Sequence, residues 1–166
     1  MQVVAKASGL SLRALYQSFP SKHELFVAVL DRAYLDVSAA LRVDAAEDPR
    51  ETVLRSIDGL LQSIDNNREA FLLSMRAQAS PAMRDESGED LIARFESAAL
   101  DALTELVSRA LRNEDLDSRI VAQSIIGAVT ANATSAIRDA AEKPVARLGA
   151  ALRATFAPIF DGPAHD

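Results

Sequence analysis

Residues 5–25 read AKASGLSLRALYQSFPSKHEL and contain signals for a helix end and two helix starts within a few turns. Gly9 follows a helical pattern over residues 2–8 and tolerates the left-handed backbone that ends many helices. Ser11 is a suitable N-cap for a second short helix over residues 12–18. This stretch therefore predicts two very short helices joined by a tight turn.

The same residues fit a helix-turn-helix, the unit that many proteins insert into the major groove of DNA. Such a unit needs a small residue where the helices cross and a turn residue that tolerates positive φ. Ala5 and Gly9 meet these two needs. We expect the core side to be formed by Leu10, Leu15 and Phe19. Three side chains that can contact bases or phosphates are expected to project outward, namely Arg13, Tyr16 and Gln17.

The rest of the chain also reads as helix, because apolar residues recur at helical spacing and no strand-like alternation is present. Ser21 and Glu24 have the spacing of a capping box. Asp48 and Pro49 form another start, where Pro suits the first helical position. We expect an all-α fold with six longer helices, ending near Arg42, Asn66, Ala79, Leu111, Ala141 and Phe160.

Composition restricts the function classes. The chain has no Cys and two His, which excludes disulfides and thiolate metal sites and favours a cytoplasmic protein. We find no Gly-rich phosphate loop, triad-like arrangement or metal-binding motif, so we expect no enzyme activity, no metal and no cofactor. There is no signal peptide, and no continuous apolar run looks long enough to cross a bilayer.

Charge is distributed unevenly along the chain. Residues 1–34 carry four basic and two acidic side chains, a net charge of +2. Because the whole chain has a net charge of −6, the remaining residues have a net charge of −8. A mildly basic N-terminal end on an acidic body suits a segment that meets DNA phosphates.

Residues 5–25 resemble the TetR family of bacterial repressors. The matching features are Ala5 with Gly9 four residues later, the apolar-Ser pair at residues 10–11, Leu-Tyr at 15–16, Phe19, and Ser-Lys-x-x-Leu at 21–25. The resemblance implies a DNA-binding headpiece with its connecting helix over residues 1–42 and a ligand-binding and dimerisation domain over 43–166. It also implies a homodimeric, ligand-responsive repressor that a small molecule releases from palindromic operator DNA.

The resemblance also implies roles for individual residues. DNA contacts would come from Ser11, Leu12, Arg13, Tyr16, Gln17 and Lys22. A small apolar or weakly polar ligand would meet a wall formed by Phe71, Met75, Gln78, Arg94, Phe95 and Ala98. The dimer would form through the last two helices, whose expected contacts are Ser124, Gly127, Ala128, Ala131, Leu148, Leu152 and Phe156.

The chain departs from the family pattern at its beginning. Family members carry one more helix before the motif, and only Met1 and Gln2 precede it here. We expect the undersides of Val3, Val4, Leu15 and Phe19 to lack a partner, and DNA binding by this chain to be weak or absent. A start-site error, a truncation and a natural loss stay open. The alternative function is a dimeric helical sensing or interaction module that has lost DNA binding.

Overall fold

The computed structural model describes residues 1–42, 47–78, 91–139 and 144–161. Within these ranges every regular element is helical, which confirms the predicted all-α class. The helices are α1 (Gln2–Ser8), α2 (Leu12–Ser18), α3 (Lys22–Ala40), α4 (Pro49–Asn66), α5 (Arg68–Gln78), α6 (Leu91–Ala110), α7 (Ser118–Arg138) and α8 (Pro144–Phe156), with a 3-10 turn over Ala157–Phe160.

Side-chain caps set the start of several helices. The side-chain oxygen of each cap accepts a hydrogen bond from a backbone N–H in the first turn, which satisfies a donor that has no partner within the helix. At Ser21 the cap accepts from the N–H of Glu24 at 3.0 Å. The Glu24 carboxylate meets the Ser21 hydroxyl at 3.5 Å, a side-chain contact in place of the reciprocal backbone bond of a full capping box. The other capping residues are Ser11, Asp48 and Asp117.

The helix ends differ from the prediction at two places. The last helix stops at Phe156 and continues as a 3-10 turn to Phe160, because Pro158 has no N–H to extend the α-helical ladder. Helix α7 stops at Arg138, where the N–H of Asp139 caps it by donating to the carbonyl of Ser135 at 2.9 Å. The expected start of α6 at Glu89 lies outside the described residues.

The main core lies among α4, α6, α7 and α8. Helix α4 runs through its centre and packs against each of the other three. The side chains with almost no exposed surface are Val53, Ile57, Leu61, Leu103, Val107, Ile125 and Phe160. Four long helices therefore form a body on which the remaining helices are placed.

Helix α3 connects the two N-terminal helices to this body. Leu30 is its one fully buried residue, so most of its length is only partly covered. Near its C-terminal end it approaches α4 very closely. A Cβ placed on Gly59 would lie 2.7 Å from the Cβ of Ala40, so only Gly permits this distance. The end of α3 is thus held tightly against the body.

Helix α7 is long and apolar enough to cross a membrane by length and composition alone. From the sequence we predicted no such segment, because no continuous apolar run looked long enough, and Gln123, Ser124 and Asn132 do interrupt the apolar residues of this helix. The mean hydropathy of the helix is nevertheless high, since Ala, Val and Ile occupy many of the positions between them. One helix of this kind is weak evidence for a membrane span.

Candidate functional site

The turn between α1 and α2 has the geometry of a helix-turn-helix. Gly9 lies in the left-handed region at φ 69° and ψ 11°, and its N–H donates to the carbonyl of Ala5. Two side chains fill the space between the helices, Ala5 at 5% exposed and Leu15 at 2%. The small side chain of Ala5 allows the two helices to cross closely, as expected from the sequence.

The predicted DNA-contact residues are exposed. On α2, Arg13 and Gln17 are one turn apart on the same side as Tyr16, which leaves a polar face turned to solvent. Within the described residues Arg13 forms no ion pair. Ser11, Leu12 and Lys22 are exposed beside this face, and Lys22 opens α3. The arrangement leaves side chains of suitable chemistry free to meet a nucleic acid.

Two expectations for the headpiece core are wrong. Leu10 was placed inward but is 50% exposed, because it lies in the extended turn after Gly9 and outside both helices. Leu15 was expected to lack a partner, yet it is buried. Val3 and Val4 are exposed as expected, and Phe19 is partly buried.

A cavity of about 890 Å³ lies in the body, bordered by α3, α4, α5, α6 and α7 and open to solvent on one side. Three residues predicted as ligand contacts line it, namely Phe71, Met75 and Phe95. Much of the remaining wall is apolar and includes Leu30, Val37, Leu60, Ile64, Ile92, Leu100, Ile126 and Val129. A cavity of this size and character is typical of a binding site for a small apolar molecule.

Arg94 and Ala98 do not line the cavity, contrary to the prediction. Successive residues of an α-helix are turned by about 100°, so Arg94 and Ala98 share one face of α6 while Phe95 and Ala99 share another. The second face borders the cavity, and the first is exposed. The side chain of Gln78 lies outside the described residues.

Tyr34 was missed by the sequence analysis. Its ring stacks on Phe95 with 4.4 Å between the centroids, and its hydroxyl donates to the Phe95 carbonyl at 2.6 Å. Burial raises the pKa of the Tyr34 hydroxyl, and the negative charge of Asp101 adds to the effect. The signal that could have found it is its position four residues after Leu30 on α3. Tyr34 therefore joins the connecting helix to α6 at the wall of the cavity.

Several polar side chains of the wall already use their donors. The hydroxyl of Ser63 donates to the carbonyl of Leu60, that of Ser74 to Phe71, and that of Thr134 to Thr130, at 2.7–2.8 Å. The Asn67 amide donates to Asp36 and to the Ser63 carbonyl. Gln123 and Thr130 also line the cavity, and their side chains form no hydrogen bond within the described residues.

The residues predicted for a dimer interface fall into two groups. On α7, Ser124, Gly127 and Ala131 are exposed and Ala128 is partly buried. On α8, Leu148 is partly buried. Leu152 and Phe156 are each 7% exposed and pack into the core of their own chain, so they are not free for a partner. The exposed residues of α8 include instead the small Ala150, Ala151 and Ala154, together with Arg147.

No group of His, Cys, Asp and Glu side chains that could hold a metal ion occurs among the described residues. No protein-family model matches the sequence, and no curated protein does.

Two solved structures are similar to this chain over nearly its full length. A Clostridium perfringens protein assigned as a fatty acid metabolism regulator matches with a TM-score of 0.72 and 16% identity, over 98% of this chain and 88% of that one. The TetR family transcriptional regulator PfmR from Thermus thermophilus matches with a TM-score of 0.68 and 19% identity, over 99% of this chain and 88% of that one. The chain therefore has the fold of a TetR-family transcriptional regulator.

Proposed function

We propose that this protein is a transcription regulator that binds operator DNA through α1 and α2 and releases it when a small molecule occupies the cavity of the body. The observation that carries the proposal is the turn at Gly9, which buries Ala5 and Leu15 and leaves Arg13, Tyr16 and Gln17 exposed. The shared fold with the regulator PfmR supports it.

DNA binding follows from the chemistry of the exposed face. Helix α2 would enter the major groove, where Arg and Gln side chains form paired hydrogen bonds with base edges. Tyr16 and Lys22 would contact phosphates and fix the orientation of the protein, since such contacts position without reading sequence. The charge of −8 on the rest of the chain would keep the body away from DNA.

A homodimer is the second part of the proposal. Helix α7 is strongly apolar, yet only 28% of its apolar stretch is buried inside the subunit. Its exposed side carries small residues, which let a second helix approach closely. A two-fold pairing through α7 and α8 would repeat the α2 helix about 34 Å away, one turn of DNA, which is the spacing that palindromic half-sites need.

Release of DNA would follow from the position of α3. This helix borders the cavity through Leu30, Tyr34 and Val37, and it also carries the α1–α2 unit. A ligand that fits better when α3 is displaced would shift the population toward conformations in which the two headpieces are wrongly spaced. The repressor role is part of this proposal.

A DNA selection tests the DNA-binding half. The protein is incubated with a random duplex pool, and the recovered sequence is titrated by fluorescence anisotropy. We expect a palindromic motif that this chain binds weakly, with the affinity reduced further, at least about tenfold, by Arg13→Ala or Gln17→Ala. Arg112→Ala is the matched control, because Arg112 is equally exposed and belongs to the loop after α6. Recovery of no motif by a protein that dimerises and binds a ligand would favour the sensing module without DNA binding.

The dimer is tested by placing a charge on the proposed face. Ser124→Arg puts a large cation on the exposed side of α7, and we expect a mass near that of one chain in light scattering. Ser108→Arg on α6 is the control, because Ser108 is exposed on another helix. Equal masses for both variants would show that the two copies meet elsewhere.

A further inference from the structure

The cavity is elongated along α7. Its lining on this helix extends from Arg119 to Arg138, which spans about 28 Å at the usual rise per residue. Between these ends the wall includes Ile126 and Val129. A long, narrow molecule fits such a space better than a compact one, which is a statement about the ligand that rests on the proposed ligand-binding function.

The wall in the middle of the cavity is mostly apolar, and Gln123 and Thr130 of α7 are the polar side chains there that form no hydrogen bond within the described residues. Four hydroxyls already donate hydrogen bonds to backbone carbonyls, those of Tyr34, Ser63, Ser74 and Thr134. A ligand with polar groups along its length would lose hydrogen bonds to water and regain few of them here. The central part of the ligand is therefore expected to be hydrocarbon.

The two ends of the cavity differ in charge. Arg119 forms an ion pair with the Asp101 carboxylate at 2.7 Å, so its charge is largely compensated. Arg138, at the opposite end of α7, forms no ion pair within the described residues. Next to it the Ser135 hydroxyl makes only a 3.5 Å contact with Asp139. The side chains of Arg138 and Ser135 are both exposed, on the same side of α7 as Ser124, Gly127 and Ala131, so the cavity meets solvent here and the C-terminal end of α7 holds donors that remain available to a ligand.

Two acidic groups oppose an anion in this region. Glu96 lines the cavity and takes part in an interaction of its own, and Asp139 follows Arg138 in the chain. A guanidinium can form two charge-assisted hydrogen bonds with one carboxylate, a direct contact that outweighs more distant like charges. The direct contact with Arg138 therefore favours an anionic head group.

We propose that the cavity binds an elongated aliphatic molecule with a single anionic head group, such as a long-chain carboxylate. The chain lies along α7 and the head group meets Arg138 and Ser135.

Three probes with the same hydrocarbon chain test the head group: dodecanoate, dodecan-1-ol and dodecylammonium. Binding to the full chain is measured by calorimetry below the concentration at which the probes aggregate. We expect dodecanoate to bind about tenfold tighter than the alcohol, and the ammonium most weakly. Equal binding of acid and alcohol would overturn the proposal. Tightest binding of the ammonium would do so too, and would assign the head group to Glu96.

Variants then locate the head group. In Arg138→Gln the ratio of alcohol to acid dissociation constants should fall from about ten to about one, and Arg138→Lys should restore part of it. Arg119→Gln makes the same charge change at the other end of the cavity, and Arg112→Gln makes it outside the cavity. Both should keep the ratio near ten. Loss of the ratio in Arg119→Gln, with retention in Arg138→Gln, would contradict the assignment.

The ligand class and the proposed regulator function can be wrong independently of each other. A protein that selects a palindromic DNA motif but binds none of the three probes remains a regulator, and only the ligand class is wrong. A protein that binds dodecanoate through Arg138 but selects no DNA keeps the ligand class and loses the regulator function.

Discussion

The α1–α2 unit and the body of this protein are stabilised in different ways. The unit buries one residue on each helix, Ala5 and Leu15, whereas α4 alone buries eight. Local features define the unit: a left-handed Gly, a side-chain cap and a small residue at a crossing. Packing among four long helices defines the body. The difference shows that a unit of two short helices needs little core of its own when a larger domain carries it.

The largest effect is expected in the body. Leu103 is completely buried, so Leu103→Ala should lower the free energy of unfolding by about 3 kcal/mol through lost burial and a residual cavity. Urea denaturation followed by circular dichroism measures it. Leu10→Ala removes the same atoms from a half-exposed side chain of the headpiece and should cost less than about 1 kcal/mol. A loss below about 1 kcal/mol in Leu103→Ala would contradict the view that core packing stabilises the body more than the α1–α2 unit.

Leu15→Ala should separate the two regions. Leu15 is as well buried as a body residue, so its truncation should weaken the unit by about 2 kcal/mol. Because α1 and α2 pack chiefly on each other, this loss should remain local. Hydrogen exchange should become at least about tenfold faster in residues 2–18, with little change in the urea midpoint of the body. A midpoint shift as large as that of Leu103→Ala would mean that the unit and the body unfold together.

Gly9→Ala and Gly127→Ala should change the stability in opposite directions, the first lowering it and the second raising it. Gly9 has positive φ, and an L side chain there costs about 1 kcal/mol although the space around it is open. Gly127 lies inside α7 with no positive φ and no atom within 4 Å of an added Cβ. Ala at that position should stabilise the subunit by up to about 1 kcal/mol through helix propensity. Hydrogen exchange of the α1–α2 unit measures the effect of Gly9→Ala, and urea denaturation of the body measures that of Gly127→Ala. If both substitutions stabilised, or both destabilised, this explanation would be wrong.

The smallest effect is expected where the connecting helix meets the cavity. Tyr34→Phe removes the hydrogen bond to the Phe95 carbonyl and should cost about 1 kcal/mol at neutral pH. Since the folded-state pKa of Tyr34 lies above its ordinary value of 10.0, this residue's contribution is fully present below pH 10 and is lost as pH rises through the folded-state pKa.

Urea midpoints between pH 7 and 11 test the prediction for Tyr34. The difference between the wild type and Tyr34→Phe should shrink above pH 10. Tyr16→Phe serves as the control, because Tyr16 is exposed on α2 and its hydroxyl forms no hydrogen bond within the described ranges. A difference that stays constant across this range would mean that Tyr34 ionises as readily in the folded chain as in the unfolded one.

The features that could be predicted from the sequence are those that neighbouring residues determine. The turn at Gly9 and the caps at Ser11 and Asp48 depend on a few adjacent positions, and the structure contains all three. The all-α class follows from periodicity along the whole chain. Leu10 was placed wrongly because the apolar character of a turn residue does not determine its direction.

The features that could not be predicted depend on how helices are rotated against each other. An apolar stripe identifies Leu152 and Phe156 as covered, but whether a partner or their own chain covers them is decided by packing against α4 and α7. The same rotation places Phe95 in the cavity wall and Arg94 outside it. Tyr34 was missed because its partner Phe95 lies far away in the sequence.

The close approach of Ala40 to Gly59 has a mechanical consequence. Val37 and Leu41 contact the main core beside it, so the C-terminal end of α3 is fixed, while the opposite end carries the headpiece. From Ala40 to Lys22 the helix measures about 27 Å. A tilt of about 10° around the fixed end would move Lys22 by about 5 Å, more than the length of a hydrogen bond. A ligand beside Tyr34 would act about 9 Å from the fixed end, a third of the way along this arm, so a small displacement there would be roughly tripled where the protein would meet DNA.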